Sequence, residues 1–283
     1  MKVLSLFDGI SCLRVALGGR PVEYLASEIE PNAIKISKKN YPDIKHLGNV
    51  CDISGITGID LLVGGSPCTD LSIAKKERKG LEGDHSKLFW QFVRVLRNSK
   101  PKYFILENVA SMPKKDRDII TKELGVDPIM IDASLVSAQC RKRYFWTNIP
   151  NVKLPEDRGI VLKNILETGV EVKSPTGKLI TIEKEPHGFH QIGYFGDKNA
   201  CNVGGQALRV YSIEGKSTTS GVGLYAVKSN NIRRLTPIEC ERLMGLPDNY
   251  TEGISKTHRY KCIGNAFSVP VMQHILSFMN IDF

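Results

Sequence analysis

Cys68 sits behind a proline, in Gly64-Gly65-Ser66-Pro67-Cys68, where the apolar run Leu61-Leu62-Val63 gives out. A cysteine becomes a nucleophile as its thiolate, which is accessible near neutral pH. Pro67 fixes a backbone dihedral just before it. The competing reading is a small buried residue, the usual fate of a lone cysteine. Glu107 closes a second apolar run, Phe104-Ile105-Leu106. A carboxyl there can be kept protonated by burial and donate a proton, or it can cap the following turn. Gln139, Arg141 and Arg143 alternate into the strand-like YFW, so they can share one face. Two arginines so placed can bind phosphate, bind a base carbonyl, hold Glu107, or form surface ion pairs.

A second set of polar residues lies earlier, each behind its own apolar run. The first turn, LFDGIS, lacks the G-x-G-x-x-G dinucleotide fingerprint. It places Asp8 where a pyrophosphate would require backbone N–H groups and no negative charge. An acid there suits a cationic ligand. Glu28 ends the next strand-like segment, where a carboxylate can grip a ribose diol. Asn49 follows a third segment and can meet an adenine edge. A nucleoside with positive charge near its sugar, such as S-adenosylmethionine, fits this order better than a nicotinamide dinucleotide. Each acid taken singly reads as a cap or a solvated charge.

Both sets must be held by elements that the first half supplies. KVLSLF, EYLASE, GIDLLVGG, YFILENV, DPIMIDASLV and RKRYFWTNI read as strands. ISCLRVALGG, PNAIKISKKNYP, SKLFWQFVRVLRNS and a charged stretch around 114 to 124 read as helices. The alternation predicts an open, largely parallel α/β sheet, with ligands at the strands' carboxyl ends. Near residue 150 the pattern changes. VLKNILETG reads as a short helix, and residues 170 to 232 as a small loop-rich domain with strand-like KLITI and LRVYSI. RLTPIECERLMGLP predicts a proline-opened helix, and SVPVMQHILSFM a final amphipathic one packing back on the first domain. The boundaries drawn are 1–166, 167–259 and 260–283.

The chain has 283 residues, 41% of them hydrophobic and 24% charged, with a net charge of +9. That excess attracts a polyanion or marks a basic surface. The seven cysteines form no C-x-x-C pair, which favours thiols over a disulfide or zinc framework. His187 and His190 in HGFH have no ligand-spaced partners and read as a surface loop; no metal is expected. The first apolar run stops at Asp8, too soon for a signal-peptide core, and no run approaches the roughly 20 residues of a membrane helix. A cytoplasmic location, or a nuclear one reached passively, is expected.

Several blocks together carry a resemblance: SLFDGIS, ASE, GGSPCTDLS, LENV, QCRKRYF, RLTPIECERLMGLP and GNAFSVP. In this order they resemble the DNA (cytosine-5)-methyltransferases, over nearly the whole chain. FDGIS, PIMIDASLVSA and RYFWTNIP look closest to animal de novo enzymes. LKNIL, RVYSIEGKSTTS and the compact length suit bacterial or phage restriction-type enzymes. The resemblance implies a Rossmann-like, S-adenosylmethionine-dependent methyltransferase sheet with a small target-recognition domain.

It also implies site roles. Cys68 attacks C6 of a flipped cytosine. Glu107 protonates or hydrogen-bonds N3, Arg143 holds O2 and Arg141 supports the site. Phe7, Asp8, Gly9, Ile10, Glu28, Ile29, Asn49, Val50 and Pro67 line the cofactor site, closed by Asn265. Asn49 stands where an acid is common, and its amide oxygen can still accept from the adenine amine. The loop from Thr69 to about Lys87, with Ser72, closes over DNA. Gln206 fills the place of the flipped base. Arg209 contacts guanine or a phosphate, and Thr219 a backbone or a base. Double-stranded DNA is the implied partner and a cognate restriction endonuclease a candidate one, with the enzyme a monomer. The rival readings are tRNA as the substrate, a catalytically inactive DNA-binding homologue, and a nicotinamide-dependent oxidoreductase, which Asp8 and the missing fingerprint disfavour.

Overall fold

The computed structural model describes residues 1–67, 87–170, 179–181, 191–195, 209–217, 224–228 and 231–280. Chain contacts divide it into two units. One comprises Met1–Asp132, Lys142–Leu154 and Ala266–Phe283; the other comprises Ala133–Arg141 and Pro155–Asn265.

The first unit is built on seven strands. These are β1 (Lys2–Leu6), β2 (Glu23–Ser27), β3 (Lys45–His46), β4 (Leu61–Gly65), β5 (Tyr103–Val109), β6 (Ile129–Asp132) and β7 (Lys142–Thr147), in the order β3-β2-β1-β4-β5-β7-β6. All pairs from β3 to β5 are parallel, while β7 runs antiparallel to both its neighbours. Val3, Leu4, Leu61, Leu62, Ile105 and Leu106 are fully buried, as expected of central strands covered on both faces. The order reverses at β1 and β4, and the carboxyl ends of these strands form the crevice where such sheets bind ligands.

Among this unit's described residues are five helices: α1 (Cys12–Leu17), α2 (Pro31–Asn40), α3 (Leu88–Ser99), α4 (Lys114–Leu124) and α7 (Val269–Leu276). Pro31 opens α2 at a position where its missing N–H costs nothing. Phe89, Phe92 and Val93 form the buried stripe of α3, packed into a core with Leu4, Leu6, Leu62, Leu106 and Trp146. Gly125, at φ +69°, closes α4 in the left-handed conformation. α7 packs on α1.

The second unit carries a five-stranded sheet in the order β12-β11-β10-β9-β8. Its strands are β8 (Leu179–Thr181), β9 (Gln191–Phe195), β10 (Arg209–Ser212), β11 (Leu224–Lys228) and β12 (Asn231–Arg233). Among the described strands of this sheet, β10 and β11 alone pair in parallel. The unit also has two helices, α5 (Pro237–Met244) and α6 (Lys256–Asn265). Thr236 and Glu239 make a reciprocal capping box at the start of α5. Glu239 further takes a two-pronged bond from Arg233, both contacts at 2.7 Å, with both side chains fully buried.

The helix expected from VLKNILETG is a single 3-10 turn, Leu162–Asn164. Its backbone pairs elsewhere: Leu162 N–H donates to Gly215 O and Lys163 N–H to Ile213 O, and the Asn164 side chain accepts from Val161 N–H. Helix α6, in contrast, has no signature in the sequence. It buries only Cys262 and Ile263, so its sequence has no apolar stripe.

Candidate active site

The turn after β1 is made of left-handed residues: Phe7, Gly9 and Ser11 have φ of 57°, 60° and 61°. Asp8 pins it from beneath. Its carboxylate is 3% exposed and accepts from Tyr24 Oη and Ser11 Oγ, each at 2.6 Å. Ser11 Oγ in turn meets Ser37 Oγ at 2.7 Å, and Ser37 Oγ lies 3.3 Å from His46 Nε2. Burial pushes the Asp8 carboxyl above its ordinary pKa, opposed in part by these hydroxyls. Burial likewise lowers His46. The expectation that Asp8 offers its charge to a cationic ligand is therefore corrected: the carboxylate faces inward and holds the turn. Ile10 and Val50 are also interior side chains, so lining by either falls to backbone.

Glu28, just beyond β2, is fixed by three backbone donors at 2.8 Å. Gly9 N–H reaches Oε2, and Ile29 and Glu30 N–H reach Oε1. A carboxylate has about four acceptor positions, so one remains for a hydroxyl donor such as a ribose diol. Ile29 beside it is 66% exposed, an apolar surface suited to the face of a purine. Asn49 is exposed and caps the 3-10 turn Val50–Asp52, its Oδ1 accepting from Cys51 N–H at 3.0 Å. The position above Gly9 is open, since a Cβ placed there meets none of the described atoms within 4 Å. These residues fit a nucleoside with a diol.

At the end of β4 the two glycines are required by packing. A Cβ on Gly64 would lie 2.7 Å from Phe92 Cδ2, and one on Gly65 would lie 2.7 Å from Phe267 Cε1. Parallel register sets Gly65 beside Glu107. Glu107 Oε1 receives Arg143 Nε at 2.7 Å in a half-buried ion pair. The pair follows from the antiparallel register of β5 and β7, in which Glu107 faces Phe145 and Arg143 faces Val109, making the two diagonal neighbours. Of the roles open to Arg143, holding Glu107 is one that the structure displays. Asn108, 1% exposed, donates from Nδ2 to Ser66 Oγ at 3.1 Å, and its Oδ1 accepts from Val109 N–H at 2.8 Å. The sequence offered Asn108 only as a letter inside LENV; its partner appears once β4 and β5 are in register. Pro67 follows, half-buried.

The alternation proposed for Gln139, Arg141 and Arg143 does not hold, because β7 begins at Lys142. Gln139 instead forms a bridge with Ser217, and Arg141, buried, donates to Gly264 O at 3.1 Å near the end of α6. Asn265, the last residue of α6, is exposed. Cys68, Ser72, Gln206, Thr219, His187 and His190 lie outside the described residues; Arg209 begins β10, and only its backbone is described. No disulfide links Cys12, Cys51, Cys140, Cys240 and Cys262. Among the described residues no helix is long and apolar enough to cross a membrane, and no cluster of His, Cys, Asp or Glu is suited to a metal.

The profile of the C-5 cytosine-specific DNA methylases matches residues 1–146 and 171–280. The chain belongs to this family. Among curated relatives, the type II methyltransferase M1.ScrFI of Lactococcus lactis subsp. cremoris is 29% identical, covering 97% of this chain and 76% of the relative. The type II methyltransferase M.HhaI of Haemophilus parahaemolyticus is 26% identical over 97% of this chain and 93% of its own. Solved structures share the fold. A prophage-encoded DNA modification methyltransferase from E. coli superposes with a TM-score of 0.71 at 22% identity, covering 98% of each chain. The S. pombe Dnmt2 methyltransferase does so with a TM-score of 0.64 at 17% identity, covering 99% of this chain and 100% of that one. The family and the Rossmann-like sheet read from the sequence are both borne out.

Proposed function

We propose that this C-5 cytosine methylase transfers a methyl group from S-adenosylmethionine to C5 of a cytosine flipped out of duplex DNA. The observation that carries this is the Glu107–Arg143 pair at the carboxyl edge of the sheet, one strand from the Gly65-Ser66-Pro67 turn that leads to Cys68. A cytosine placed against that edge has its N3 and O2 within the chemistry of a carboxyl and a guanidinium. Cys68, as thiolate, adds to C6, which makes C5 nucleophilic. Glu107, held by Arg143, hydrogen-bonds or protonates N3, and Arg143 binds O2. Bound S-adenosylmethionine supplies an electrophilic methyl group. Once C5 carries the methyl, a base or water removes the C5 proton, the thiolate leaves C6, and a proton given to N3 returns to Glu107. The covalent step divides a difficult aromatic substitution into easier ones.

The cofactor reading rests on Glu28, with its three backbone donors and a free acceptor position, and on Ile29 and Asn49 next to it. Arg141 supports the site and Asn265 closes over the cofactor. The segment carrying Ser72, and Gln206, Arg209 and Thr219, contact DNA. The division at 167 and 260 separates catalysis from recognition. The type II names of the curated relatives favour a restriction-modification setting, hence a cognate endonuclease and a cytoplasmic location; a monomer acting on its site is part of the same proposal.

Transfer of a tritiated methyl group to duplex DNA and to tRNA, with 5-methylcytosine mapped by bisulfite sequencing, tests this. Label in the duplex at a fixed sequence is the expected result. Label in tRNA alone would reject the substrate, and DNA binding without any transfer would reject the enzyme.

A further inference from the structure

Arg94 lies on α3, outside the sequence blocks that mark the family. Its side chain leaves the helix and reaches the segment that follows β3. Nη1 donates to Ile53 O at 2.7 Å, and Nη2 to Val50 O at 2.8 Å and to Cys51 O at 3.4 Å. Nε is steadied by Gln91 Oε1 at 2.7 Å. The carbonyls it gathers belong to the 3-10 turn Val50–Asp52 and the residue after it. So short a turn has little of its own to hold it: two internal bonds, Asp52 N–H to Asn49 O and Ile53 N–H to Val50 O, at 3.1 and 3.3 Å. Val50 and Ile53 anchor it in the core, and Asn49 caps its start. Arg94 supplies the cap at its other end.

We propose that Arg94 is a positioning residue for the nucleoside end of the cofactor: its guanidinium fork holds Asn49 to Ile53 in the shape that presents Asn49 to the purine. This rests on the S-adenosylmethionine reading above. The fork is the reason the residue is arginine. Three carbonyls at different angles can be met by a planar group with five donors, whereas a lysine ammonium is a compact point charge on a flexible stem. The effect should fall on binding, because Glu107, Arg143 and the turn before Cys68 stand on other strands.

The test uses the full chain and the variants Arg94→Lys and Arg94→Gln. Calorimetry with S-adenosylhomocysteine and with adenosine should show both affinities weakened about tenfold or more, as befits lost hydrogen bonds from a charged donor. The loss in methylation should appear in KM for the cofactor rather than in kcat. In the ligand-free protein, amide exchange should quicken at Cys51, Asp52 and Ile53 while β1 and β4 keep their protection. Unchanged affinity in both variants would overturn the proposal. So would a fall in kcat at constant KM, or protection lost equally in β1 and β4, which would mark a merely structural residue. A parent protein that binds neither ligand would overturn the cofactor reading itself, a result distinct from a parent that binds and variants that bind equally well.

Discussion

Asn108→Ala should separate folding from chemistry in a measurable way. The amide is 1% exposed and Ser66 4% exposed, so water cannot readily replace what is removed. Three contacts go: Nδ2 to Ser66 Oγ at 3.1 Å, a longer one to Ser66 O at 3.5 Å, and Val109 N–H to Oδ1 at 2.8 Å. The Val109 N–H becomes a buried orphan, which costs about 1–3 kcal/mol. Ser66 can turn its hydroxyl, so its loss lies at the low end of that range. The emptied volume adds roughly 1 kcal/mol more. A total of about 3–5 kcal/mol is large, yet within the roughly 5–15 kcal/mol by which domains are stable. Asn108→Asp keeps the acceptor for Val109 but replaces the donor with a buried carboxyl that has no cation among its described partners. It should destabilise at least as much as Asn108→Ala at neutral pH, and less as the pH falls and the carboxyl protonates. The chemical consequence runs through Ser66, two residues before Cys68. A displacement of about 1 Å at a reacting group costs on the order of a hundredfold in rate. Both variants should therefore lose about 30–100-fold in kcat, with KM for the cofactor within about threefold of the parent. Urea unfolding and initial rates at saturating duplex and cofactor measure the two effects. A folded Asn108→Ala protein with kcat within about threefold of the parent would refute the idea that Asn108 positions this turn.

Two other predictions concern the same strand ends. Gly65→Ala forces a Cβ against Phe267 and should destabilise by about 1–3 kcal/mol, and combining it with Phe267→Leu should recover part of that loss. Strict additivity in urea unfolding would contradict the contact. Asp8→Asn tests the buried carboxyl. Because the folded pKa is raised above the ordinary 3.8, the stability Asp8 contributes is complete below that value and is lost as pH rises through the folded pKa. The stability difference should thus shift in favour of Asp8→Asn as pH rises from below 3.8 through the raised folded pKa, and a difference that does not vary with pH would show that Asp8 does not titrate in the folded protein.

The parts of this protein legible in its sequence are those with a one-dimensional signature. VLSL, LLV and FIL stand out because central parallel strands are buried on both faces and read as continuous apolar runs. The chain also places Asp8, Glu28 and Asn49 after β1, β2 and β3, which was enough to suggest a nucleoside pocket. What the sequence could not reveal is who holds whom. The Arg143–Glu107 pair depends on the register of β7 against β5, and the Asn108–Ser66 bond on that of β5 beside β4. The inward turn of Asp8 is not legible in the sequence because Tyr24, which donates to it, comes from a neighbouring strand. The shared face expected of Gln139, Arg141 and Arg143 fails because β7 starts only at Lys142. The short strands β9, β11 and β12 carry little apolar periodicity, and α6 has no apolar face to announce it.

The central claim is that the sulfur of Cys68 bonds to the pyrimidine during turnover. Incubating the enzyme and S-adenosylmethionine with a duplex carrying 5-fluorocytosine at the methylated position should arrest the reaction after methyl transfer, since fluorine cannot leave C5 as the proton does. Peptide mapping of the arrested complex should then find the nucleotide on Cys68. A crosslink on any other residue, or none from an enzyme that methylates the unmodified duplex, would contradict the account.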